Sequence, residues 1–374
     1  MKVVIIGGGI AGLSAAYELQ ERASELDLPI EITLIEKENY LGGKIITEIV
    51  DGFIIEGGPD TFVSTKPWGV ALARKLDMEE RLMGTDMERR RVFVVRAGKL
   101  VELPDGLAMM VPTKFWPMIK TSLISPIGKL RMGLDFFTPP ASGDEDESLG
   151  AFVSRRLGRE AYERLIEPLM SGIYAGDGDR LSLQSTFPFL RDWEREYGSL
   201  TRGALALRRK RRAARRTKSS RSIFLTPKDG LGEMVAALQA ELSSIDMRLG
   251  ESVESLEPVN NGYSIRTSSG DETKTDAVIL AAPSYASADL LRSFDVALAD
   301  ILEEIEYVST ATVSLAFDQK DLGHELRGHG YVIPRREGRE ALACTWTSTK
   351  FPHRAPEGGA LVRVFIGRSG QGEE

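Results

Sequence analysis

Apolar residues at the start of the chain alternate between short continuous runs and a helical spacing. Residues 3–6 form an uninterrupted β-branched run, which is typical of a strand buried on both faces of a parallel sheet. Ala16 and Leu19 follow at helical spacing, and the run EITLIE at Glu31–Glu36 predicts a second strand. The pattern therefore predicts a strand, a helix and a strand, the repeating unit of α/β folds.

The turn after the first strand carries the pattern G-x-G-x-x-G at Gly7, Gly9 and Gly12. The first glycine permits a tight turn, the second lets a diphosphate approach the backbone, and the third lets helix and strand pack closely. Glu36 ends the second strand 24 residues later, near the spacing of an acid that accepts ribose hydroxyls and repels a ribose phosphate. We predict dinucleotide contacts from Gly7, Gly8, Gly9, Ile10, Ala11, Gly12, Glu36 and Lys37.

A second glycine pair distinguishes a flavin from a nicotinamide dinucleotide. Gly42-Gly43-Lys44 resembles the second glycine motif of the flavin amine oxidase superfamily, although a plain turn is the alternative explanation of the pair. Paired glycines let the chain run beside an extended dinucleotide, and a lysine can neutralise phosphate charge. The resemblance implies FAD, with further contacts from Gly42, Gly43, Lys44, Gly57, Gly58, Pro59, Asp60 and Thr61.

A later stretch predicts the return of the chain to the dinucleotide domain. An amphipathic helix through Met234 and Leu238 is followed by a strand at 251–256, a turn at 260–262 and an apolar strand at 277–283 that a proline closes. In the resembling superfamily this stretch completes the FAD-binding domain. The resemblance then implies that Val253 touches the adenine through its backbone, that Ala281 adds a contact, and that Trp346 lies against the flavin. Sheet core for Val253 and a half-buried strand aromatic for Trp346 are the alternatives.

Four segments resemble the oxygen-dependent protoporphyrinogen/coproporphyrinogen oxidases of bacterial haem synthesis. They are EGGPDTF at 56–62, RVFVV at 91–95, EPLMSGIYAGD at 167–177 and TWTSTKFPHRAP at 345–356. The resemblance implies a six-electron aromatisation of a porphyrinogen, in which the flavin accepts hydride and O2 reoxidises it to give hydrogen peroxide. No side chain is singled out as catalytic, because the cofactor carries this chemistry.

The substrate of such an enzyme carries propionates, so its site needs cations. Arg91 is the first candidate, with a solvated arginine in the run 89–91 as the alternative. Ile173 and Tyr174 are candidate apolar walls for the ring, with ordinary core packing as the alternative. Coproporphyrinogen and protoporphyrinogen, which differ by two propionates that become vinyls, both stay open. So do an amine or polyene oxidase and a truncated, non-catalytic flavoprotein.

Composition and charge limit the ligands and the cellular compartment that we expect for this protein. The 374 residues are 42% hydrophobic and 28% charged, with a net charge of -7 that argues against nucleic-acid binding. A single cysteine, Cys344, suits a reducing compartment, the three histidines show no metal-ligand spacing, and no apolar run could span a bilayer. We therefore expect a cytoplasmic protein without a metal, whose oligomeric state is open.

One segment departs from this acidic balance. Arg202–Arg221 contains ten basic residues and no acid. A solvated helix and loop is the simpler interpretation. Peripheral contact with an anionic membrane or with a partner of the haem pathway is the sharper one.

The predicted fold class is α/β, a Rossmann-like FAD-binding domain with an inserted mixed-sheet substrate domain and a helical domain. In the resembling family the chain continues past residue 374 with a third glycine motif, which helps to hold the flavin. We therefore expect weak FAD retention and poor solubility for a chain of this length. The predicted segments are the first FAD-binding part at 1–75, substrate-domain strands at 76–103, a helical domain at 104–221, the FAD-binding return at 222–290, and the remaining substrate domain with the start of a final FAD-binding part at 291–374.

Overall fold

The computed structural model of the chain describes residues 1–108, 111–143, 145–214 and 222–371. It divides into two compact units. The first comprises Met1–Gly84 and Ser222–Tyr307, and the second comprises Thr85–Arg221 and Val308–Glu374. Each unit is therefore assembled from two separate stretches of chain, while the finer division into five segments stays a prediction.

Both units mix helices and strands, which confirms the predicted α/β class. The strands are β1 (Lys2–Ile6), β2 (Glu31–Glu36), β3 (Thr47–Val50), β4 (Phe53–Glu56), β5 (Phe62–Val63), β6 (Leu82–Gly84), β7 (Val92–Arg96), β8 (Lys99–Glu102), β9 (Leu107–Ala108), β10 (Val111–Pro112), β11 (Phe224–Pro227), β12 (Asp246–Leu249), β13 (Val253–Val259), β14 (Gly262–Thr267), β15 (Glu272–Thr275), β16 (Ala277–Leu280), β17 (Ala311–Asp318), β18 (Gly330–Val332), β19 (Ala341–Trp346) and β20 (Gly359–Ile366).

Nine of the fourteen α-helices of the described residues belong to the second unit, and the other five belong to the first. They are α1 (Ile10–Glu25), α2 (Pro67–Lys75), α3 (Phe115–Lys120), α4 (Pro126–Gly133), α5 (Leu149–Leu157), α6 (Arg159–Ala161), α7 (Glu167–Tyr174), α8 (Leu183–Thr186), α9 (Pro188–Tyr197), α10 (Leu200–Ala214), α11 (Gly232–Glu241), α12 (Ser284–Leu291), α13 (Val296–Glu303) and α14 (Thr347–Lys350). A 3-10 turn at Leu134–Phe136 follows α4, and a π-helical segment at Tyr162–Ile166 leads into α7.

A four-stranded parallel sheet forms the centre of the first unit, in the order β12-β2-β1-β16. Successive residues of β1 face opposite sides of this sheet. Ile5 packs with Leu13 and Leu238 of α1 and α11, whereas Val4 packs with Ile265 on the other side. The continuous apolar run of β1 is thus explained, because both faces of the strand are covered.

The antiparallel sheet β13-β14-β15 covers the second side of the parallel sheet. Its first two strands are joined at Asn260 and Asn261, where the sequence predicts a hairpin turn. Asn261 has a φ of 65°, a conformation that asparagine tolerates better than most residues. The predicted hairpin is therefore confirmed.

A six-stranded mixed sheet dominates the second unit, in the order β17-β20-β19-β18-β7-β8, with β18 and β7 parallel and the other neighbours antiparallel. One face of the sheet, through Val94 and Val332, packs against a helical core that contains Phe152 and Leu165. The other face carries Trp346 and its neighbours. The mixed sheet and the helical part that the sequence predicts are both present.

A fully buried arginine ties the helices of the second unit together. Arg156 donates from Nε to Asp135 Oδ1 over 2.8 Å, and its Nη1 lies 3.4 Å from Glu194 Oε1. The other oxygen of Asp135 accepts from Ser199 Oγ over 2.7 Å and from the amide of Thr201 over 2.9 Å. Asp135 therefore neutralises a buried cation and also caps the first turn of α10.

Candidate functional site

The turn between β1 and α1 presents bare backbone to open space. Gly7 has a φ of +112°, which side chains rarely adopt, and its amide donates to the Ile35 carbonyl over 2.9 Å. A Cβ on Gly12 would overlap the carbonyl oxygen of Gly7, so glycine is needed for α1 to lie this close to β1. A Cβ on Gly9 would meet nothing within 4 Å, so a ligand can approach the backbone there.

The N-terminus of α1 adds hydrogen-bond donors to this turn. The first N–H groups of an α-helix have no carbonyl partner within the helix, and Gly9, at the cap position, has no side chain to supply one. The amides at Ile10 and Ala11 therefore face the turn together with the positive end of the helix dipole. This arrangement suits a diphosphate.

The carboxylate of Glu36 is fixed beside the same turn. Its side chain is buried, and its Oε2 accepts from the amide of Gly8 over 2.6 Å, while Oε1 accepts from the amide of Glu38 over 2.9 Å. Each carboxylate oxygen can accept more than one hydrogen bond, so Glu36 retains capacity for ribose hydroxyls. Lys37 is exposed and its Nζ lies 3.8 Å from Glu38 Oε1, so its contact with a dinucleotide stays a prediction.

The second glycine pair lies directly against the first turn. The amide of Gly42 donates to the Gly8 carbonyl over 2.8 Å, and a Cβ on Gly43 would lie 3.2 Å from the Cα of Gly9. Lys44 is exposed and forms no ion pair with the residues that the structure describes. The fold thus brings together two glycine motifs that lie more than thirty positions apart in the sequence, and Lys44 directly follows the second motif.

Glu56 is a buried carboxylate that the sequence argument left out of the site. Its Oε1 accepts from the amide of Leu231 over 2.9 Å, and its Oε2 accepts from Thr47 Oγ1 over 2.6 Å. The same hydroxyl of Thr47 accepts from the amide of Gly232 over 2.9 Å. Glu56 therefore anchors the start of α11 to β3 and β4. The sequence feature that could have identified it is a single carboxylate at the end of an apolar strand.

The residues after Glu56 form the loop that follows β4. The amide of Gly57 donates to the Ile46 carbonyl over 2.8 Å, and a Cβ on Gly58 would overlap the carbonyl oxygen of Lys44. Thr61 Oγ1 donates to Asp60 Oδ1 over 3.0 Å. This loop, which also contains Pro59, is therefore held against the segment that carries the second glycine pair.

Ala281 and Val253 occupy different surroundings within the first unit. The amide of Ala281 donates to the Ile6 carbonyl over 2.8 Å, and its own carbonyl oxygen would lie 2.8 Å from a Cβ on Gly7. Ala281 thus packs against the glycine turn. Val253 begins β13, pairs with Thr267, and packs against the hydrophobic core between the two sheets, so its contact with an adenine stays a prediction.

The residues of this turn fit a flavin dinucleotide. A diphosphate needs free amides and close backbone approach, which Gly9 and the start of α1 provide. A ribose needs a fixed acceptor, which Glu36 provides. These residues would hold the cofactor's diphosphate and adenosine ribose if it binds as the fold suggests.

The candidate substrate residues all lie in the second unit. Arg91 is exposed just before β7, its Nε lies 3.7 Å from Glu102 Oε1, and its carbonyl accepts from the amide of His329 over 2.7 Å. Ile173 is 66% exposed, so it is not packed in the core. Tyr174 is also exposed and packs edge-on against Phe187, with ring centroids 5.8 Å apart. All three side chains are therefore accessible on this unit.

Trp346 is more buried than the sequence argument expects. Its ring lies 5.7 Å from that of Phe93 and 6.4 Å from that of Tyr331, measured between centroids. With Cys344 and Leu326 it forms the core on one face of the mixed sheet. The side chain therefore has a structural role here, and its contact with a flavin stays a prediction.

Comparison with known proteins assigns the family. Residues 10–374 match the family model described as flavin containing amine oxidoreductase. The chain belongs to the flavin containing amine oxidoreductase family. The predicted FAD cofactor is thereby confirmed at the level of the family, since its members contain flavin.

Several relatives of this amine oxidoreductase family member are named for porphyrinogen oxidation. The coproporphyrinogen III oxidase of Bacillus subtilis is 39% identical over 368 residues, which cover 98% of this chain and 77% of the relative. The coproporphyrinogen III oxidase of Staphylococcus aureus is 36% identical, with 98% and 78% covered. The chloroplastic protoporphyrinogen oxidase 1 of Spinacia oleracea is 32% identical, with 97% and 66% covered.

Solved structures agree with the family fold. A candidate protoporphyrinogen oxidase from Exiguobacterium sp. 255-15 superposes with a TM-score of 0.85 at 32% identity, covering 99% of this chain and 77% of that one. A reduced UDP-galactopyranose mutase superposes with a TM-score of 0.67 at 17% identity, covering 99% and 75%. The second likeness supports the fold alone.

The basic segment is only partly described. Its first part, Arg202 to Ala214, lies on α10, and Arg208 Nη1 donates to the Thr113 carbonyl over 2.8 Å. Arg215, Arg216, Lys218 and Arg221 lie outside the described residues. Within the described ranges, none of the helices combines the length and the apolar character needed to cross a bilayer.

Proposed function

We propose that the chain oxidises a porphyrinogen, coproporphyrinogen III or protoporphyrinogen IX, to the porphyrin in haem biosynthesis. The observation that carries the proposal is the 39% identity to a coproporphyrinogen III oxidase along 98% of the chain, together with the dinucleotide turn of the first unit. The conversion removes six electrons and six protons from the ring. With O2 as the acceptor, three molecules of O2 become three of hydrogen peroxide.

In this proposal the residues of the chain bind and orient the flavin and the porphyrinogen. When bound, the flavin supplies the oxidising group of the reaction. Gly9, the first amides of α1 and Glu36 would hold it, as their geometry suggests. No nucleophilic side chain is required, because hydride leaves the ring without a covalent bond to the protein.

The substrate is proposed to contact the accessible residues of the second unit. Arg91 would pair with a propionate, since a guanidinium matches a carboxylate in shape and charge. Its present neighbour, Glu102, lies 3.7 Å away and both side chains are exposed, so that pair is weak and replaceable. Ile173 and Tyr174 would cover the apolar faces of the macrocycle.

The direct test follows porphyrin fluorescence. Purified protein with FAD is mixed with coproporphyrinogen III or protoporphyrinogen IX in air, and emission, O2 uptake and peroxide are recorded together. Growth of emission with equal O2 uptake and peroxide release is expected, and removal of O2 should stop turnover. Oxidation of an amine or a polyene in place of either porphyrinogen would favour the alternative oxidases. FAD binding without turnover of any of these substrates would favour a non-catalytic flavoprotein.

Arg91 offers a matched pair of variants. Arg91→Gln should raise KM for the porphyrinogen roughly tenfold, because one charge-assisted contact is lost. Arg90→Gln changes an exposed arginine one position earlier and should leave KM unchanged. Equal KM values for the two variants would remove Arg91 from the substrate site.

The predicted membrane contact is retained as part of the proposal, because apolar side chains are exposed beside the basic helix. Four exposed apolar residues follow helical spacing along α4, the 3-10 turn after it and the residue that caps this turn: Ile127, Leu130, Leu134 and Phe137. Ile127 and Phe137 are 80% and 82% exposed. The Arg202 guanidinium lies 5.8 Å from the ring of Phe136 in the same turn. Apolar side chains next to cations are typical of surfaces that enter an anionic membrane interface.

Vesicle co-sedimentation tests this contact and the location that goes with it, a cytoplasmic protein with peripheral membrane binding. We expect binding to phosphatidylcholine vesicles that contain phosphatidylserine and weak binding to phosphatidylcholine alone. Phe137→Ser should reduce binding, whereas Ile49→Ser, which changes an exposed apolar residue of the first unit, should not. Equal binding to both kinds of vesicle would contradict an electrostatic contact.

A further inference from the structure

A pocket in the second unit is lined by three arginines that come from three separate elements. Arg96 ends β7, and Arg164 lies in the π-helical segment before α7. Arg336 lies in a 3-10 turn, Arg335–Glu337, that follows β18. The pocket has a volume of about 280 Å³, close to the lower end of the range for small-molecule sites.

The whole guanidinium of Arg96 is free to bind a ligand. The side chain is half-buried, and it forms no hydrogen bond or ion pair with any residue that the structure describes. Strand side chains alternate, so Arg96 lies on the same side of β7 as Val94, which packs into the helical core. Five N–H donors at the pocket are therefore without an acceptor from the described chain.

Arg164 is held in place by part of its guanidinium. Its Nη1 donates to the Leu123 carbonyl over 3.0 Å and lies 2.9 Å from Glu160 Oε1. Glu160 is itself fixed by Ser125, whose amide and hydroxyl donate to its two oxygens over 3.0 and 2.6 Å. The Nε and Nη2 of Arg164 have no acceptor within the described ranges, so this arginine is oriented and still has donors to offer.

Arg336 uses only one nitrogen of its guanidinium. Its Nη1 donates to Glu163 Oε2 over 2.9 Å, and the other oxygen of Glu163 accepts from Arg159 over 2.9 Å. Its Nε and Nη2 meet no acceptor in the described part of the chain. Glu337, the carboxylate of the pocket lining, accepts from the amide of Ala97 over 3.1 Å. The arginine donors that remain are therefore not consumed by this carboxylate.

The positive charges of the three arginines act on one another. Burial lowers the pKa of the Arg164 guanidinium, and the carboxylate of Glu160 opposes this shift. The like charges of Arg336 and Arg96 lower the same pKa further, against a smaller opposing effect of Glu163. Like charges this close repel, and a bound anion would relieve the repulsion.

The arrangement of donors distinguishes between kinds of anion. A carboxylate presents two oxygens in one plane, which a single guanidinium can satisfy. A phosphoryl group presents three acceptor oxygens and about two negative charges, so it needs donors from several sides. Three arginines on three elements meet that need. The buried side chains of Val94, Leu123 and Pro334 add apolar surface for a small organic substituent.

The pocket is separate from the candidate substrate residues. Its lining includes none of them and no residue of the glycine turns. Val94 and Arg96 lie on the helical side of β7, whereas Phe93 packs with Trp346 on the other side of the sheet. A ligand in this pocket therefore leaves the Trp346 face of the sheet uncovered.

The start of α4 lies next to the pocket. Ser125, which fixes Glu160, also caps α4, because its Oγ accepts from the amide of Gly128 over 3.0 Å. The exposed apolar residues of the proposed membrane contact begin two positions later, at Ile127. A phosphoryl group could thus reach the pocket from solution or on the headgroup of a phospholipid.

We propose that Arg96, Arg164 and Arg336 form a binding site for a phosphoryl group, carried by a small phosphate ester or by a phospholipid headgroup. This site goes beyond porphyrinogen oxidation and does not depend on it. Arg96 supplies an uncommitted guanidinium, Arg164 supplies fixed donors, and the exposed Arg336 closes the outer side.

Titration calorimetry at constant ionic strength tests the site. The protein is saturated with FAD, so that the glycine turn does not take up phosphate, and is titrated with inorganic phosphate, glycerol 3-phosphate or succinate. Both phosphates should bind, and succinate should bind at least about tenfold more weakly, because a dicarboxylate does not match three converging guanidinium groups.

Arg96 offers a variant that should not disturb folding. Arg96→Gln should weaken the binding of both phosphates roughly tenfold at an unchanged melting temperature, because the side chain has no partner in the described chain. Arg327→Gln changes a 74% exposed arginine of the same unit and should keep the wild-type Kd. Equal Kd values in these two variants, or succinate binding as tight as phosphate binding, would overturn the proposal.

Phosphatidylcholine vesicles with and without phosphatidic acid separate the two sources of the phosphoryl group. Co-sedimentation with phosphatidic acid that Arg96→Gln abolishes and glycerol 3-phosphate displaces would identify a lipid headgroup. Tight binding of glycerol 3-phosphate, with vesicle binding unchanged in Arg96→Gln, would identify a soluble ester. Binding of neither phosphate nor phosphatidic acid by the wild type would overturn the site. None of these measurements requires turnover, so the site and the oxidase function can fail separately.

Discussion

The amide of Gly8 donates to the Glu36 carboxylate over 2.6 Å, so a direct hydrogen bond fixes the glycine turn after β1 to the acid that ends β2. The amide of Gly7 strengthens this link by donating to the carbonyl of Ile35, the residue before Glu36. A ligand held by the turn therefore meets a carboxylate in a fixed position. Hydrogen bonds within the protein, made before any ligand arrives, reduce the ordering cost of binding.

Two glycines of the turn should respond differently to the same substitution. Gly9→Ala should change the free energy of unfolding by less than about 1 kcal/mol, since its Cβ meets nothing, but should weaken FAD binding at least about tenfold by blocking the diphosphate. Gly12→Ala should lower the free energy of unfolding by roughly 1–3 kcal/mol, because its Cβ overlaps the Gly7 carbonyl. Urea unfolding and FAD titration measure both. Normal FAD affinity in Gly9→Ala would place the diphosphate elsewhere.

Removing the charge of Glu36 should weaken the cofactor site. In Glu36→Gln only one oxygen remains to serve the amides of Gly8 and Glu38, and the acceptor for ribose hydroxyls is lost. The Kd for FAD should rise about tenfold, as expected for one lost hydrogen bond to a charged group. Glu38→Gln, an exposed change two positions later, should keep the wild-type Kd, and a similar rise in both variants would contradict a direct role for Glu36.

The parts of this site that the sequence predicts are those that local spacing determines. The strand, the glycine turn, α1 and Glu36 follow one another within 36 residues, so apolar periodicity and turn chemistry are enough to place them. The hairpin at Asn261 is local in the same sense. Each of these features depends on neighbours along the chain and needs no knowledge of tertiary packing.

The parts that sequence patterns miss join residues far apart in the chain. Glu56 accepts from the amide of Leu231, 175 positions later, and nothing in either segment alone specifies that contact. Arg368 and Glu167 belong to a strand end and a helix start that only the fold of the second unit brings together. Trp346 shows the reverse case, because the family resemblance implies a flavin contact, while packing within the second unit buries the side chain in a core.

The buried ion pair of the second unit should be costly to break. Asp135→Asn leaves Arg156 without its closest charge partner and weakens the cap of α10, so we expect a loss of about 3–5 kcal/mol in the free energy of unfolding. Asp300→Asn removes a surface pair with Arg292 and should leave the free energy of unfolding nearly unchanged, because exposed ion pairs contribute little. Urea denaturation compares the two variants. A loss below 1 kcal/mol in Asp135→Asn would mean that Glu194 alone compensates Arg156.

Acid should destabilise the second unit partly through His329. Burial lowers the pKa of this imidazole, the Asp86 carbonyl, 2.8 Å from Nε2, opposes the shift, and the charge of Lys350 adds to it. The folded pKa therefore lies below the unfolded value of about 6.5. Below the unfolded pKa, the imidazole of the unfolded chain takes up a proton more readily than the imidazole of the folded chain. The contribution of His329 to the free energy of unfolding is therefore fully present above the unfolded pKa, and it is lost as the pH falls through the folded pKa.

A comparison of variants isolates this contribution from that of the carboxylates. The melting temperature of the wild type should fall between neutral pH and pH values below about 6, and His329→Gln should show a smaller fall over the same range. His324→Gln, in which the replaced imidazole is exposed, should follow the wild type. An identical fall in His329→Gln and the wild type would show that the proton is taken up elsewhere. Because His329 donates its amide to the carbonyl of Arg91, the same titration is expected to loosen the start of β7, where that candidate substrate cation lies.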